Sequence, residues 1–337
     1  MTLVQLRYFI AIVDAGLNIT LAASQVHATQ PGLSKQLGQL EDELGLQLFI
    51  RKGKSLDAVT AAGQQVLLHA RSMLSDAANI HAIASNLRKE THGKLRIATT
   101  HTQARFALPA ALAALNNSYP HISVHLQPVR DSEILAQLEA GKVDVAVISS
   151  AGATPTVGVA LPAYRWQRVI ISPQNHPLAL SAKAPTLQAL AALPLISYDS
   201  SLKPESSLRQ AFETAGLTPR VVMTAGDADL IKTYVRAGLG IGILAEMALS
   251  PADTDLRVMP AHQLFPDCTT WIVLRRESVL RDYILEFIYQ FAPHLGRKDV
   301  VRALTSEAAP VWSGIPDWST RTRGSIAAPR RGTKKSV

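Results

Sequence analysis

Residues 18–41 restrict the possible folds of this chain more than any other segment. Leucines in the second half of the segment and just beyond it recur every three or four residues, as on one apolar face of an α-helix: Leu33, Leu37, Leu40 and Leu44. Thr29 is a suitable N-cap for that helix, and Pro31 falls in its first turn, where a missing N–H group is tolerated. A shorter helical pattern precedes it, with Thr20 as its predicted N-cap. The segment therefore predicts a helix–turn–helix.

The outer face of the second helix carries hydrogen-bonding side chains and no block of charge: Gln30, Ser34, Lys35 and Gln39. A helix–turn–helix with such a face can place its second helix in the major groove of DNA. The same periodicity also occurs in ordinary helical hairpins, so it does not decide between the two. The DNA interpretation assigns contacts to this face and to the helix starts: Thr20, Thr29, Gln30, Pro31, Ser34 and Lys35.

A basic turn follows the two helices. Short apolar strands are predicted over residues 46–50 and 55–60, and a Lys-Gly-Lys turn joins them into a β-hairpin, or wing. Beside a recognition helix, Arg51, Lys52 and Lys54 would meet phosphates or the minor groove. Three basic residues in a turn are also compatible with a solvated loop.

A long helix is predicted from Thr60 to about Arg88. It keeps a continuous apolar seam: Val66, Leu67, Ala70, Met73, Leu74, Ala77, Ile80, Ile83, Ala84 and Leu87. A helix of this length usually buries such a seam against a second copy, so it is interpreted as a linker and dimerisation helix. The alternative is a helix that packs on its own domain.

Beyond residue 93, apolar strands alternate with helices up to residue 295, in two successive sets. This alternation implies parallel, doubly wound sheets, in which ligands bind outside the carboxyl ends of the strands. Polar residues fall at such ends at 99–103 and 149–150. Two α/β halves joined by crossovers predict a hinged cleft like that of periplasmic binding proteins.

The net charge of +8 is concentrated near the C-terminus. Residues 296–337 hold nine Lys and Arg residues against three Asp and Glu residues. The basic balance therefore cannot support DNA binding by the N-terminal domain. The segment is also rich in Ser, Thr, Pro and Gly and is expected to be a disordered tail.

Cysteine usage and hydropathy set further bounds. Cys268 is the only cysteine, which excludes an intramolecular disulfide and a multi-cysteine zinc site and fits a reducing cytoplasm. The apolar runs are too short for a membrane span, and the first residues lack the pattern of a signal peptide. These observations predict a cytoplasmic protein with no membrane partner and no resident cofactor or metal.

Motifs over roughly residues 1–300 resemble the LysR-type transcriptional regulators. In the N-terminal part they are Gln-Leu-Arg-Tyr-Phe at 5–9, Thr-Gln-Pro-Gly-Leu-Ser-Lys-Gln-Leu at 29–37, Leu-Glu at 40–41, Leu-Gly at 44–45 and Leu-Phe at 48–49. Later motifs are similar to the CysB and Cbl group, which controls sulfur assimilation: Ile-Ala-Thr-Thr-His-Thr-Gln-Ala-Arg at 97–105, Asp-Ala-Asp at 227–229, Ile-Lys-Thr-Tyr-Val-Arg at 231–236 and Phe-Ala-Pro-His-Leu at 291–295.

The resemblance implies an α+β and α/β architecture in four parts. These are a winged helix–turn–helix over residues 1–59, a linker and dimerisation helix over 60–92, a two-subdomain α/β effector-binding domain over 93–295 and the tail over 296–337. It also implies a homotetramer that binds promoter DNA, with RNA polymerase as a further candidate partner. The implied effector is small: sulfate, acetylserine or a related sulfur metabolite.

By position, the resemblance assigns the effector site to residues at strand ends: Thr100, Thr102, Gln103, Ser149 and Trp166. Where the group commonly has a threonine that faces the anion, this chain has Ser-Leu-Lys-Pro at 201–204. If Lys203 points inward, it adds a cation that favours an anionic effector. If it points outward, Ser200 or Ser201 takes over the contact. Ser201 and Lys203 therefore belong to the predicted site.

Two other functional classes fit less well. For an enzyme, His101, Asp227, Asp229 and Lys232 are candidate acid–base residues, but no nucleophile elbow, phosphate loop or metal-spaced set accompanies them. A binding protein without a DNA role would lack the helix–turn–helix. We therefore predict a LysR-type regulator of sulfur assimilation, controlled by a small anionic or acetylserine-type effector. The alternative is a LysR-type regulator of another pathway with a different small anionic effector.

Overall fold

The structure is a computed structural model that describes residues 1–53, 55–181, 183–276, 278–306, 312 and 314–320. The chain divides into two units. Unit 1 comprises Met1–Glu90 with Ser278–Arg281, and unit 2 comprises Thr91–Glu277 with Asp282–Val337. Among the described residues, no helix is both long enough and apolar enough to cross a membrane.

Unit 1 is a winged helix–turn–helix followed by a long helix. Its elements in chain order are α1 (Leu3–Asp14), α2 (Ile19–Gln25), α3 (Gln30–Leu44), β1 (Phe49–Lys52), β2 (Ser55–Val59) and α4 (Ala61–Leu87). The apolar face of α3 is buried, with Leu33, Leu37 and Leu40 at most 1% exposed. Phe9 of α1 packs edge-on against Phe49, with ring centroids 5.4 Å apart. The predicted helix–turn–helix is confirmed.

The N-cap of α2 differs from the prediction. The side chain of Asn18 accepts a hydrogen bond from the Leu21 N–H at 3.0 Å, whereas Thr20 lies exposed in the first turn. The prediction of Thr20 as the cap is wrong. Thr29 does cap α3 and accepts from the Gly32 N–H at 3.2 Å. A Cβ atom at Gly32 would lie 2.9 Å from Thr29 Oγ1, so the missing side chain suits this turn.

The two cap candidates can be separated by mutation. We expect Asn18→Ala to lower the free energy of unfolding of unit 1 by about 1 kcal/mol, because it leaves an N-terminal N–H of α2 without its acceptor. The matched variant Thr20→Ala should change it by less than about 0.5 kcal/mol. Urea titrations of the full chain, followed by far-ultraviolet circular dichroism, measure both. Equal losses would contradict the assignment of Asn18.

The wing is a short antiparallel hairpin. β1 pairs with β2, and Gly53 in the turn has a φ of +63°. The first strand starts at Phe49 and not at residue 46, because the Leu48 N–H donates to the Glu41 carboxylate at 2.8 Å and not to a neighbouring strand. Lys54 lies outside the described residues.

The apolar seam of α4 is buried at one end only. Thr60 caps the helix, and Leu67 and Ala70 are buried in the core of unit 1. Further along, Ile80 and Leu87 are 67% and 80% exposed in the single chain. The C-terminal half of the helix therefore presents apolar side chains that its own unit does not cover.

Unit 2 contains two five-stranded sheets. The first part of unit 2, before the chain passes to the second sheet, contains β3 (Gly93–Thr99), α5 (Leu108–Ser118), β4 (Ile122–Pro128), α6 (Asp131–Glu139), β5 (Val145–Ala151) and β6 (Val159–Trp166). They are followed by β7 (Arg168–Pro173), α7 (Pro177–Leu180), α8 (Leu187–Ala191), β8 (Leu195–Tyr198), α9 (Ser207–Thr214), β9 (Val221–Ala225), α10 (Ala228–Arg236), β10 (Ile241–Ala245) and β11 (Leu256–Pro260). The chain then continues through β12 (Cys268–Leu274), α11 (Asp282–Phe291) and α12 (Arg297–Thr305).

Both sheets are mixed, which corrects the prediction of purely parallel sheets. The first has the order β4-β3-β5-β12-β6, and the second has the order β11-β7-β10-β8-β9. In the first sheet β12 runs against its two neighbours, and in the second β7 does the same. The chain leaves the first sheet after β6, forms the second sheet and returns to the first as β12.

The edge strand β6 and the helix α12 both form against local sequence signals. β6 contains Pro162, which favours a break in a strand, but β6 is an edge strand and has a register shift at this point, so the proline is tolerated. The proposed disordered tail begins with α12, which buries Val300, Ala303 and Leu304. Disorder is therefore wrong for residues 297–305. Residues 307–311, 313 and 321–337 lie outside the described part.

Candidate functional site

The exposed face of α3 is the candidate DNA-reading surface. Gln30, Pro31 and Lys35 are exposed, and Ser34 is half-buried. The Gln30 Nε2 group donates to Ser34 Oγ at 3.2 Å, so these two side chains form one hydrogen-bonded pair on the surface. Amide and hydroxyl groups of this kind can both donate to and accept from base edges.

Glu41 connects α3 to the wing, a role that the sequence did not reveal. Its side chain is 3% exposed, and one carboxylate oxygen accepts from the Leu48 N–H. The other lies 3.1 Å from Arg51 Nη2, while the Arg51 side chain stays 46% exposed. Glu41 therefore orients Arg51 without removing it from solvent. Lys52, next to it, is exposed.

Strand ends from both sheets of unit 2 surround a cavity of about 950 Å³. Six residues of the predicted effector site line it: Thr100, Thr102, Gln103, Ser149, Trp166 and Lys203. Ser201 does not. It is fully buried behind the wall and bonds Ser197 Oγ at 2.8 Å, whereas its neighbour Ser200 lines the cavity. A direct contact of Ser201 with an effector is therefore not supported.

A polar network fixes the wall at the end of β5. The Gln103 amide nitrogen donates to Ser149 Oγ and to Thr270 Oγ1, each at 3.1 Å, and its oxygen accepts from the Tyr164 hydroxyl. Ser149 Oγ also accepts from Trp166 Nε1 at 3.2 Å. Both lone pairs of Ser149 Oγ are then occupied, so its O–H group is the donor in the 3.0 Å hydrogen bond to Thr270 Oγ1.

Two threonines extend this wall. Thr100 Oγ1 accepts from the Gln103 N–H at 3.4 Å, at the start of the helical segment that follows β3. Thr102 hydrogen-bonds the buried Tyr198 hydroxyl, which also accepts from the Ala245 N–H at 3.1 Å. Burial raises the pKa of Tyr198, so its hydroxyl stays neutral at physiological pH. Thr100 and Thr102 thus line the same cavity as Ser149 with further hydroxyl-bearing side chains.

Arg168 is the main feature of the site that the sequence analysis missed. Its side chain lines the cavity and is only 6% exposed. Nε donates to Ser207 Oγ at 2.7 Å and Nη1 to Ser201 Oγ at 3.4 Å. Among the described residues, no carboxylate lies within 4.0 Å of its guanidinium group. Burial lowers the pKa of Arg168, as expected for a cation without a neutralising partner.

Lys203 has the neutralising partner that Arg168 lacks. Its ammonium group lies 3.3 Å from Asp131 at the start of α6, so the pair joins the two α/β halves of unit 2. A second pair between the halves, Arg105 with Asp229, lies at 2.8 Å. Lys203 therefore borders the cavity as half of an ion pair.

The acid–base candidates of the enzyme interpretation make structural contacts, and two of them, Asp229 and Lys232, pair at 3.2 Å. Asp227 caps α10 by accepting from the Leu230 N–H at 2.9 Å. The buried Lys232 bonds the Ala248 carbonyl at 3.0 Å and Asp253 at 3.1 Å. These contacts tie α10 to the loop after β10. Within the described part of the chain, no cluster of His, Cys, Asp and Glu could hold a metal ion.

A winged helix–turn–helix on the same chain as a two-sheet α/β unit, with strand ends around a cavity, fits the class of DNA-binding regulators that carry a ligand-binding domain. Residues 3–64 match the bacterial regulatory helix-turn-helix protein of the LysR family, and residues 88–296 match the LysR substrate binding domain. The chain belongs to the LysR family of transcriptional regulators.

Individual relatives agree with this family. The transcriptional regulator CysB of Haemophilus influenzae is 42% identical over 299 residues, which cover 89% of this chain and 92% of that protein. SsuR of Burkholderia cenocepacia is 38% identical, with coverages of 89% and 97%. The crystal structure of the cofactor-binding domain of the Cbl transcriptional regulator is 34% identical and superposes with a TM-score of 0.60. The aligned region covers 64% of this chain and 96% of the chain in that structure. These relatives are regulators and not enzymes.

Proposed function

We propose that this protein regulates the transcription of sulfur assimilation genes in the cytoplasm, under the control of a small anionic or acetylserine-type effector bound in the cavity of unit 2. The similarity to CysB, SsuR and Cbl supports the pathway. The observation that carries the effector class is the buried guanidinium of Arg168, which lacks a carboxylate partner among the described residues.

A buried cation without a counter-ion is unfavourable, because the protein interior solvates charge poorly. An anion that enters the cavity would replace the missing partner and relieve this cost. Hydroxyl and amide groups near the same cavity can complete the coordination of its oxygen atoms without adding a cation. Thr100 supports this role, because it lines the cavity and its hydroxyl oxygen accepts from the Gln103 N–H, which leaves the hydroxyl proton as a donor.

Lys203 is proposed to tune the site through its ion pair with Asp131. Lys203→Thr should leave the Asp131 carboxylate unneutralised at the cavity wall and weaken the binding of sulfate by up to about fivefold. Asp131→Asn should strengthen the binding of sulfate, because it releases the Lys203 ammonium group toward the cavity. The double variant should bind sulfate nearly as the parent does. If the sulfate affinities change in the opposite directions or do not change, Lys203 does not contribute to effector binding.

DNA binding is proposed to use α3 for sequence readout and the wing for phosphate contacts. The apolar side chains at the C-terminal end of α4 support a dimer of this chain, and a tetramer is the proposed assembly. RNA polymerase is a further proposed partner at the promoter.

Calorimetry with sulfate and with O-acetylserine tests the location of the effector site. Thr100→Ala removes one hydroxyl beside a bound anion and should lower the affinity by roughly 10- to 100-fold. Exposed Thr218 is not among the residues that line the cavity, so Thr218→Ala serves as the matched control and should bind as the parent does. Unchanged affinity in both Thr100→Ala and Lys203→Thr would move the site elsewhere in the chain.

A further inference from the structure

A segment near the C-terminus lies against the edge of the first sheet. This C-terminal segment, Trp312 with residues 314–320, falls outside the matched LysR substrate binding domain. The Arg165 N–H donates to the Pro316 carbonyl at 2.9 Å, and the Arg165 guanidinium pairs with Asp317 at 3.0 Å. The segment thus adds a parallel bridge to β6, which is an edge strand.

The C-terminal segment also contacts the aromatic core behind the cavity. The Trp318 ring packs against the Tyr164 ring at an interplanar angle of 51°, with centroids 5.0 Å apart. Phe291 of α11 contacts Tyr164 edge-on at 5.8 Å. Tyr164 is completely buried, and these two rings are among the neighbours that hold it in place.

Tyr164 contacts both the C-terminal segment and a side chain of the cavity wall. Its hydroxyl donates to the oxygen of the Gln103 amide, whose nitrogen donates to Ser149 and Thr270. The bond from Tyr164 determines which end of the amide faces Ser149, because it occupies the amide oxygen. If Tyr164 shifts, the amide can turn, and Ser149 and Thr270 in the cavity wall then lose the hydrogen bonds that Gln103 donates to them.

We infer that Trp318 of the C-terminal segment is a positioning residue for the effector site, acting through Tyr164 and Gln103. This inference rests on the proposed function, since it concerns the same cavity. The alternative is that the segment only covers the open edge of β6, in which case its loss would change stability and leave ligand affinity unchanged.

A double-mutant cycle with inorganic sulfate as the probe separates the two roles. Trp318→Ala and Tyr164→Phe should each weaken sulfate binding to the full-length protein by about 5- to 20-fold, because each disturbs the same hydrogen bond. The double variant should be no weaker than the more affected single variant. The inference would be overturned if the loss of affinity in the double variant equalled the product of the two single losses. It would also be overturned if Trp318→Ala lowered the melting temperature and left the sulfate affinity unchanged.

Two further variants serve as controls. Trp318→Phe keeps a ring on Tyr164 and should restore sulfate affinity to within about threefold of the parent. Arg165→Ala removes only a half-exposed ion pair and should stay within about twofold of the parent. Failure of Trp318→Phe to restore affinity would count against the ring contact.

A second measurement does not require a ligand. The side-chain amide protons of Gln103 are buried and hydrogen-bonded, so they should exchange slowly with water in the parent and at least tenfold faster in Trp318→Ala. Unchanged exchange would overturn the inference. If the parent itself binds neither sulfate nor O-acetylserine, the proposed effector class fails, and the amide exchange still decides the role of Trp318.

Discussion

Arg168→Met should weaken sulfate binding by orders of magnitude without destabilising the ligand-free protein. Removal of a buried charge that pairs with a bound anion is expected to weaken binding by about 100- to 1,000-fold. Without the anion, the same guanidinium is an unneutralised buried charge. A methionine of similar length should therefore leave the free energy of unfolding unchanged or raise it by about 1–4 kcal/mol.

Arg168→Met is informative because it should lower the sulfate affinity without lowering the stability of the ligand-free protein. Calorimetry with sulfate gives the affinity, and differential scanning calorimetry without ligand gives the melting temperature, which should rise by about 2–4 °C per kcal/mol. Arg220→Met, at an exposed arginine of the same unit, should change neither quantity. A destabilised Arg168→Met protein with unchanged sulfate affinity would show that Arg168 is structural.

Gln30→Ala should lower the discrimination of the protein between its promoter site and unrelated DNA by about 1–3 kcal/mol. Ser34→Ala should have a similar effect. Because the two side chains share a hydrogen bond, the double variant should lose less than the sum of the two single losses. Fluorescence anisotropy with specific and nonspecific duplexes measures this discrimination.

Lys52→Ala should act differently on the same duplexes. It removes a phosphate-binding charge of the wing, so it should weaken binding to both duplexes alike. It should also reduce the slope of log affinity against log salt by about 1. Gln65→Ala, at an exposed glutamine of α4, is the control and should match the parent. If the Gln30, Ser34 and Lys52 variants all bind a promoter as tightly as the parent, the proposed DNA surface is wrong.

Local sequence signals predicted the helix–turn–helix and the long helix well. The leucine spacing of α3, its cap at Thr29 and the length of α4 all depend on residues close in sequence. The cap of α2 shows the limit of such signals. Asn18 and Thr20 both satisfy the local rule for a cap, and the rule does not say which of them starts the helix.

The parts of the site that sequence did not reveal depend on distant residues. Arg168 becomes a buried cation only because α9 and β12 close over the start of β7. The partner of Lys203 is Asp131, 72 residues away in sequence. The contact of Trp318 with Tyr164 spans an even longer stretch of chain. No local pattern indicates such pairs, whereas polar residues at strand ends did indicate where the cavity lies.

The central claim is that an anion bound near Arg168 controls how the protein binds DNA. Its most direct test is the affinity of the full-length protein for a promoter fragment of a sulfur assimilation gene, measured with and without sulfate or O-acetylserine. We expect one of these ligands to change the affinity or the footprint of the parent protein and to have no effect on Arg168→Met. If neither ligand changes promoter binding by the parent, or if Arg168→Met responds as the parent does, the claim is contradicted.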